Sequence, residues 1–134
     1  MLDRLWSTKP FATDLGLFII RFVLACLMAP HGYSKLMSFA EGSEKFPDPL
    51  GVGPVTSMAM TVFAEFFCSI FLLMGLFTRM ALIPLMTAMT VAVFVIHAGD
   101  PFGDKEHALL FLLPYIGLFL TGPGTWSLDR LLKK

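Results

Sequence analysis

Four long apolar runs, each carrying very few ionisable residues, dictate what this chain can fold into. A hydrocarbon core about 30 Å thick needs roughly 20 apolar residues per helix. The runs span residues 17–37, broken only by Arg21, His31 and Lys35; 54–77, with the single charge Glu65; 80–98, with His97 near its end; and 107–121, which is rather short. Pro84 and Pro114 fall inside the third and fourth runs, where a membrane helix tolerates a local kink. The expected fold is all-α: an integral membrane four-helix bundle, with residues 1–134 as one membrane domain. Composition agrees, since 56% of the residues are hydrophobic, 15% are charged and mean hydropathy is +0.75. So much apolar surface excludes disorder. Ten basic against ten acidic residues leave no nucleic-acid footprint. Two cysteines exclude a disulfide scaffold.

The breaks between runs are equally plain. Residues 41–53 are polar and rich in Gly and Pro, and residues 99–105 read G-D-P-F-G-D-K, a turn by composition. Only Thr78-Arg79 separates the second run from the third, which predicts a tight helical hairpin. Arg21 interrupts any secretory h-region and no small-x-small cleavage site follows, so the first run is expected to remain as a span. No internal repeat is visible.

Counting Lys and Arg near the span ends sets the expected orientation. The face with both termini holds Arg4, Lys9, Arg79, Arg130, Lys133 and Lys134; the other holds Lys35, Lys45 and Lys105 among six acids, Glu41, Glu44, Asp48, Asp100, Asp104 and Glu106. Both termini are therefore expected in the cytoplasm. Trp6 and Trp126 flank the same side, where indole suits the headgroup level, and residues 125–134 resemble a short amphipathic surface helix.

Ionisable groups inside spans are costly and each needs a reason. At about 100° per residue, Arg21, Leu24, Met28, His31 and Lys35 share a narrow arc of the first helix, together with Gly32, which lets a neighbouring helix or ligand approach closely. Thr61, Glu65, Cys68, Ser69 and Leu72 share a face of the second, and Thr87, Thr90 and His97 one of the third. The economical packing turns all these stripes inward. Arg21 lies roughly 8 Å in from the boundary at 1.5 Å per residue, Glu65 near mid-membrane, and His31, Lys35, His97 and His107 toward the far face. Glu65 has two prospective partners, Arg21 and His31, between which the sequence does not choose. One reading is a structural ion pair that fixes helix register; the other is a proton or ligand site with Glu65 as the acid–base group.

His31, His97 and His107 raise the question of a metal, but His97 and His107 with Asp100 and Asp104 between them form no recognised ligand motif, and no metal is expected. A quinol headgroup suits the same residues better, because histidine plus carboxylate beside apolar walls supplies an acceptor for each hydroxyl proton. Cys26 points about 140° away from the Arg21 stripe whereas Cys68 shares the Glu65 face, so a disulfide between them is not expected.

These residues also carry a family likeness. Arg21-Phe-Val-Leu-Ala…His31-Gly32-Tyr-Ser-Lys35 resembles the first helix of the DoxX family, and Ala64-Glu65…Gly75-Leu-Phe-Thr78-Arg79 its second helix and tight turn. His97 ends the third helix as the pattern suggests, and Gly122-Pro123-Gly124-Thr-Trp126-Ser127-Leu128-Asp129 is similar to the family's tail. One departure stands out: the glycine pair common after the helix-two glutamate is here Cys68-Ser69, which keeps small volume but slightly impairs close backbone contact. The resemblance implies a multi-pass protein of the bacterial cytoplasmic (inner) membrane, linked to quinol oxidase and thiosulfate:quinone oxidoreduction, or to assembly of redox or thiol-handling proteins. Fold analogy alone does not fix chemistry. Lacking any haem, copper or flavin motif, the chain is not expected to be a complete oxidase.

Three functions follow as expectations. In the first, the chain is a quinone-interacting subunit of a membrane redox complex: Glu65 and His31 handle protons, Arg21 and Lys35 set the electrostatics, and His97 completes a headgroup site beside Gly32, Cys68 and Ser69. In the second it is a non-catalytic scaffold that recruits a partner protein through residues 41–48 and 100–106. The third, a small-solute or metal-ion carrier, would need a homo-oligomer. Lipid is the expected surrounding in all three.

Overall fold

The computed structural model describes residues 1–133; Lys134, counted above among the terminal-side charges and at the end of the expected surface helix, lies outside them. Four long helices make up the described chain: Thr13–Met37, Pro54–Met74, Thr78–Ile96 and Phe102–Thr121. The first three are long and apolar enough to cross a membrane, with mean hydropathy of 1.8, 1.9 and 2.0. The fourth opens with Asp104, Lys105 and Glu106, so its apolar part is shorter. Short helical turns at Leu2–Leu5, Phe39–Gly42, Ser43–Lys45 and Leu128–Leu132 complete the picture, and no strand occurs among the described residues.

Each long helix packs on its neighbour in sequence, and the first also touches the fourth. Leu24 and Met28 of the first helix meet Cys68 and Leu72 of the second, Leu82 and Leu85 of the third, and Phe111, Tyr115 and Leu118 of the fourth in one buried cluster. The opposite faces carry exposed Phe22, Leu27, Phe94, Leu110, Leu113 and Leu120. A helix that stays apolar on its outer face is one solvated by lipid.

Local chemistry explains where helices begin and end. Pro54 occupies the first turn of the second helix, where its missing N–H costs nothing. That helix stops at Gly75, left-handed at φ 67°, with Leu76 N–H donating to Phe71 O at 2.9 Å in a Schellman closure. The hairpin turn is thus Gly75–Phe77, and Thr78-Arg79, expected as the link, already belongs to the third helix. Pro30, Pro84 and Pro114 all lie inside continuous helices. Two π-helical segments, Phe63–Phe67 and Ala92–Ile96, were not legible in the sequence. Each widens its helix by one residue per turn, a deviation that recurs at functional sites.

Candidate functional site

Arg21 on the first helix and the Lys35–Glu65 pair of the first two helices form two separate sites, one toward the chain termini and one toward the loops. At the terminal end, Arg21 is 1% exposed. Its Nη1 donates to Leu72 O at 3.0 Å and Leu73 O at 3.2 Å, and its Nη2 to the carbonyl of Trp126. The first two are carbonyls of the last turn of the second helix, where the helix dipole favours a cation. The guanidinium also sits 5.6 Å from the Phe18 ring centre. Arg21 therefore ties the end of the second helix to the C-terminal segment and forms no ion pair with Glu65.

That segment, with its short helix Leu128–Leu132, also serves as a structural latch. Asp129 accepts from Phe77 N–H at 2.7 Å and Thr78 N–H at 2.9 Å, capping the third helix, while its own N–H donates to Gly75 O at 2.9 Å. Asp14 accepts from Thr125 N–H at 3.0 Å. Gly75 is required twice over: its φ is positive, and a Cβ there would lie 2.5 Å from Ser127 Cβ and 2.6 Å from Arg21 Nη1. Sequence reasoning read Asp129 only as part of a family-like tail; an acid just after a Gly-Pro-Gly turn was the available signal for a cap.

At the loop end, Lys35 Nζ lies 2.6 Å from Glu65 Oε2, with Lys35 a third exposed and Glu65 nearly buried at 7% of its side chain. Neither expected partner, Arg21 or His31, holds Glu65. Gly32 explains how Lys35 reaches it. A Cβ at Gly32 would fall 2.5 Å from Phe66 N and 2.7 Å from Glu65 C, so the two helix backbones are in contact there. The contact lands on the π segment that carries Glu65. Lys35, about one turn further along, then overlies the carboxylate. No protein donor among the described residues reaches Glu65 Oε1.

Lys35 and Glu65 line a cavity of about 650 Å³ between the second and third helices. His97 stands at its loop end, Ser57, Thr61 and Thr87 add hydroxyls, and the rest of the lining is apolar, including Phe63, Ala64, Ile83, Met89 and Ile96. Residues 46–50 cover the mouth. Asp48 fixes that loop, accepting from Val52 N–H at 3.0 Å, Gly53 N–H at 2.8 Å and Ser57 Oγ at 2.7 Å. The Ser57 hydroxyl above all, with the backbone N–H groups behind it, holds the Asp48 carboxyl below its usual range.

The other candidates, His97 on the lining apart, lie outside the cavity. His31 is exposed and stacks edge-on against His107, ring centres 5.1 Å apart. His97 pairs through Nδ1 with Asp100 at 2.9 Å. No group of three or more His, Cys, Asp or Glu side chains among the described residues is arranged to hold a metal. Cys68 and Ser69 are buried in the core, away from the cavity lining, and Ser69 Oγ has no partner. The third helix departs from the all-inward expectation, since Thr87 and Thr90 are exposed and donate to Ile83 O and Met86 O one turn back. Those back-bonds satisfy the hydroxyls locally, so nothing forces them into the core. Tyr115 was missed: it is fully buried, with its hydroxyl unpartnered.

Comparison with known proteins agrees with this picture. The chain is 28% identical to the inner membrane protein YqjF of Escherichia coli over 90% of its own length and 95% of that protein's. It is 37% identical to an uncharacterized membrane protein of Mycobacterium tuberculosis over 74% of this chain and 76% of the relative. A Haemophilus influenzae protein is 28% identical over 91% and 86%. No solved structure matches. The DoxX family profile matches residues 16–98, which include the first three long helices almost entirely and the whole Lys35–Glu65 cavity wall they form. This chain is a membrane protein of the DoxX family.

Proposed function

We propose that the chain is the membrane component of a redox complex, and that the Lys35–Glu65 cavity receives the headgroup of a quinol. One observation carries the reading: a buried carboxylate, paired at 2.6 Å with a lysine, forms the charged spot of a mainly apolar cavity of about 650 Å³. Small-molecule sites are commonly apolar hollows of roughly 300–1,000 Å³ with a few placed polar groups. The residues fit the group. Exposed Met60, Phe63 and Ile83 on the lining leave an apolar approach for an isoprenoid tail.

A quinol bound there supplies two electrons and two protons. The unpartnered Oε1 of Glu65 accepts a hydrogen bond from a headgroup hydroxyl and then its proton. Lys35 keeps the carboxylate oriented and donates to the oxygen left behind. His97, held by Asp100 and on the same cavity lining, takes the proton of the second hydroxyl, so that both protons leave with the two electrons. Electrons go to a redox centre on a partner protein, since this chain has no haem, copper or flavin motif. In this reading Arg21, Cys68 and Ser69 support the helices, and His31 acts outside the cavity.

The topology belongs to the same proposal: a four-helix bundle crossing the bacterial inner membrane four times, with the Lys- and Arg-rich terminal side in the cytoplasm. The inner-membrane location of the Escherichia coli relative supports it.

Purification into lipid nanodiscs followed by organic extraction tests the function. Wild type is expected to carry near-stoichiometric quinone, E65Q roughly tenfold less through loss of one charge-assisted hydrogen bond, and H31A as much as wild type. Absence of quinone from wild type overturns the reading in favour of a scaffold working through residues 41–48 and 100–106.

A further inference from the structure

A second cavity, of about 540 Å³, lies at the terminal end between the start of the third helix and the C-terminal segment. Arg79, Arg130 and Lys133 line it, and its one carboxylate, Asp129, is already engaged by Phe77 and Thr78 N–H. None of the three cations forms an ion pair among the described residues. Arg79 is held in place. Its Nε donates to Phe119 O at 2.9 Å, and Gly122 leaves room for it, because a Cβ there would lie 3.3 Å from Nη2. Phe77 and Met80, 54% and 68% exposed, continue the lining from the charges onto the side of the third helix.

Depth identifies the ligand. Thr78 begins a membrane-spanning helix, so the cavity sits where hydrocarbon gives way to headgroups. Three unpaired cations above exposed apolar side chains, at that depth, match a molecule with an anionic head and an acyl body. We propose that this cavity binds an anionic phospholipid, its phosphate between Arg79, Arg130 and Lys133 and its chains against Phe77 and Met80. Basic pockets at the ends of membrane helices select such headgroups by charge.

The test places the protein in nanodiscs with equal dioleoylphosphatidylglycerol and dioleoylphosphatidylcholine, and counts lipids retained after release by native mass spectrometry. Wild type is expected to retain phosphatidylglycerol preferentially, by on the order of tenfold. R130Q/K133Q, which changes two exposed side chains and leaves Arg79 bonded to the fourth helix, is expected to fall close to parity. R79K, which keeps the charge but loses the planar fork, is expected to fall between them. Equal retention of the two lipids by wild type overturns the proposal, as does an undiminished preference in R130Q/K133Q. Displacement of the lipid by excess inorganic phosphate makes this a soluble-anion site, and displacement by a polyglutamate peptide makes it a protein-docking face; either result also overturns it.

Discussion

Arg21 and Glu65 are both charged side chains buried by the first two long helices, yet they are treated in opposite ways. Arg21 donates to three backbone carbonyls and is closed off by the C-terminal segment. Glu65 has one partner, on a partly exposed lysine, and a free oxygen beside a cavity. A buried charge gripped by several backbone carbonyls and shut away from any cavity holds a fold together, even though Arg21 Nε itself has no partner. One whose capacity is half spent, next to open volume, is available to a ligand. The contrast separates architecture from chemistry more sharply than burial does, because both side chains are nearly inaccessible.

The largest effect expected from breaking this contrast is on the Arg21 side. Arg21→Ala removes a charged donor from three carbonyls and leaves a void between helix and tail, at a cost of roughly 3 kcal/mol or more. Thermal unfolding in detergent should show the loss, along with protease sensitivity of residues 122–133. Gly75→Ala should come close, adding about 1 kcal/mol of left-handed strain to a contact 2.5 Å from Ser127 Cβ. A mild phenotype for Arg21→Ala would mean that the tail is held by Asp129 and Asp14 alone.

Gly32→Ala tests the link between the two regimes. Its Cβ would meet the backbone of Glu65 and Phe66, which cannot move aside like a side-chain tip, so the helices must part at a cost of roughly 1–3 kcal/mol. Quinone retention should fall with stability, because Lys35 is carried away from Glu65. Glu65→Gln sharpens the comparison from the other side. Lys35, a third exposed, can turn to water, so the stability change should be about 1 kcal/mol or less while quinone retention collapses. Equal stability losses for Arg21→Ala and Glu65→Gln would erase the distinction.

How much of this could be read beforehand follows the same division. Arg21, Leu24, Met28 and Gly32 are visible as one inward stripe because helical periodicity alone determines it, and all four are buried. The Glu65–Cys68–Ser69–Leu72 face is legible for the same reason. The partner of Glu65 is not, since it depends on the axial register of two helices. Gly32 sets that register against a π segment that no residue pattern announces. His31 shares Lys35's arc in projection, yet it lies against His107 of the fourth helix instead. The latch was illegible in another way: Asp129 and the turn it caps are 51 residues or more apart in sequence, so local propensity could identify a tail but not what it holds.

The smallest expected effect concerns the latch and pH. Burial pushes the Asp129 carboxyl up, but the backbone N–H groups of Thr78 and Phe77 outweigh it, with Lys133 helping, and the net displacement is below the usual carboxylate value. A folded-state pKa lower than the unfolded one stabilises the fold above the unfolded value, about 3.9 for aspartate, and that contribution disappears as pH falls through the lower folded value. Protonation turns one of the two accepting oxygens into a donor, which weakens the cap on the third helix and the hold on the strained Phe77, whose φ is 49°. Between about pH 4 and pH 2, wild type should therefore lose a little more Tm than Asp129→Asn, by on the order of 2 °C. The comparison with Asp129→Asn is what isolates the effect, because Asp48 is displaced in the same direction and loses its loop contacts over the same acid range. Identical acid profiles for the two proteins would show that the tail is latched by Arg21 and Asp14, with the Asp129 cap contributing only its geometry.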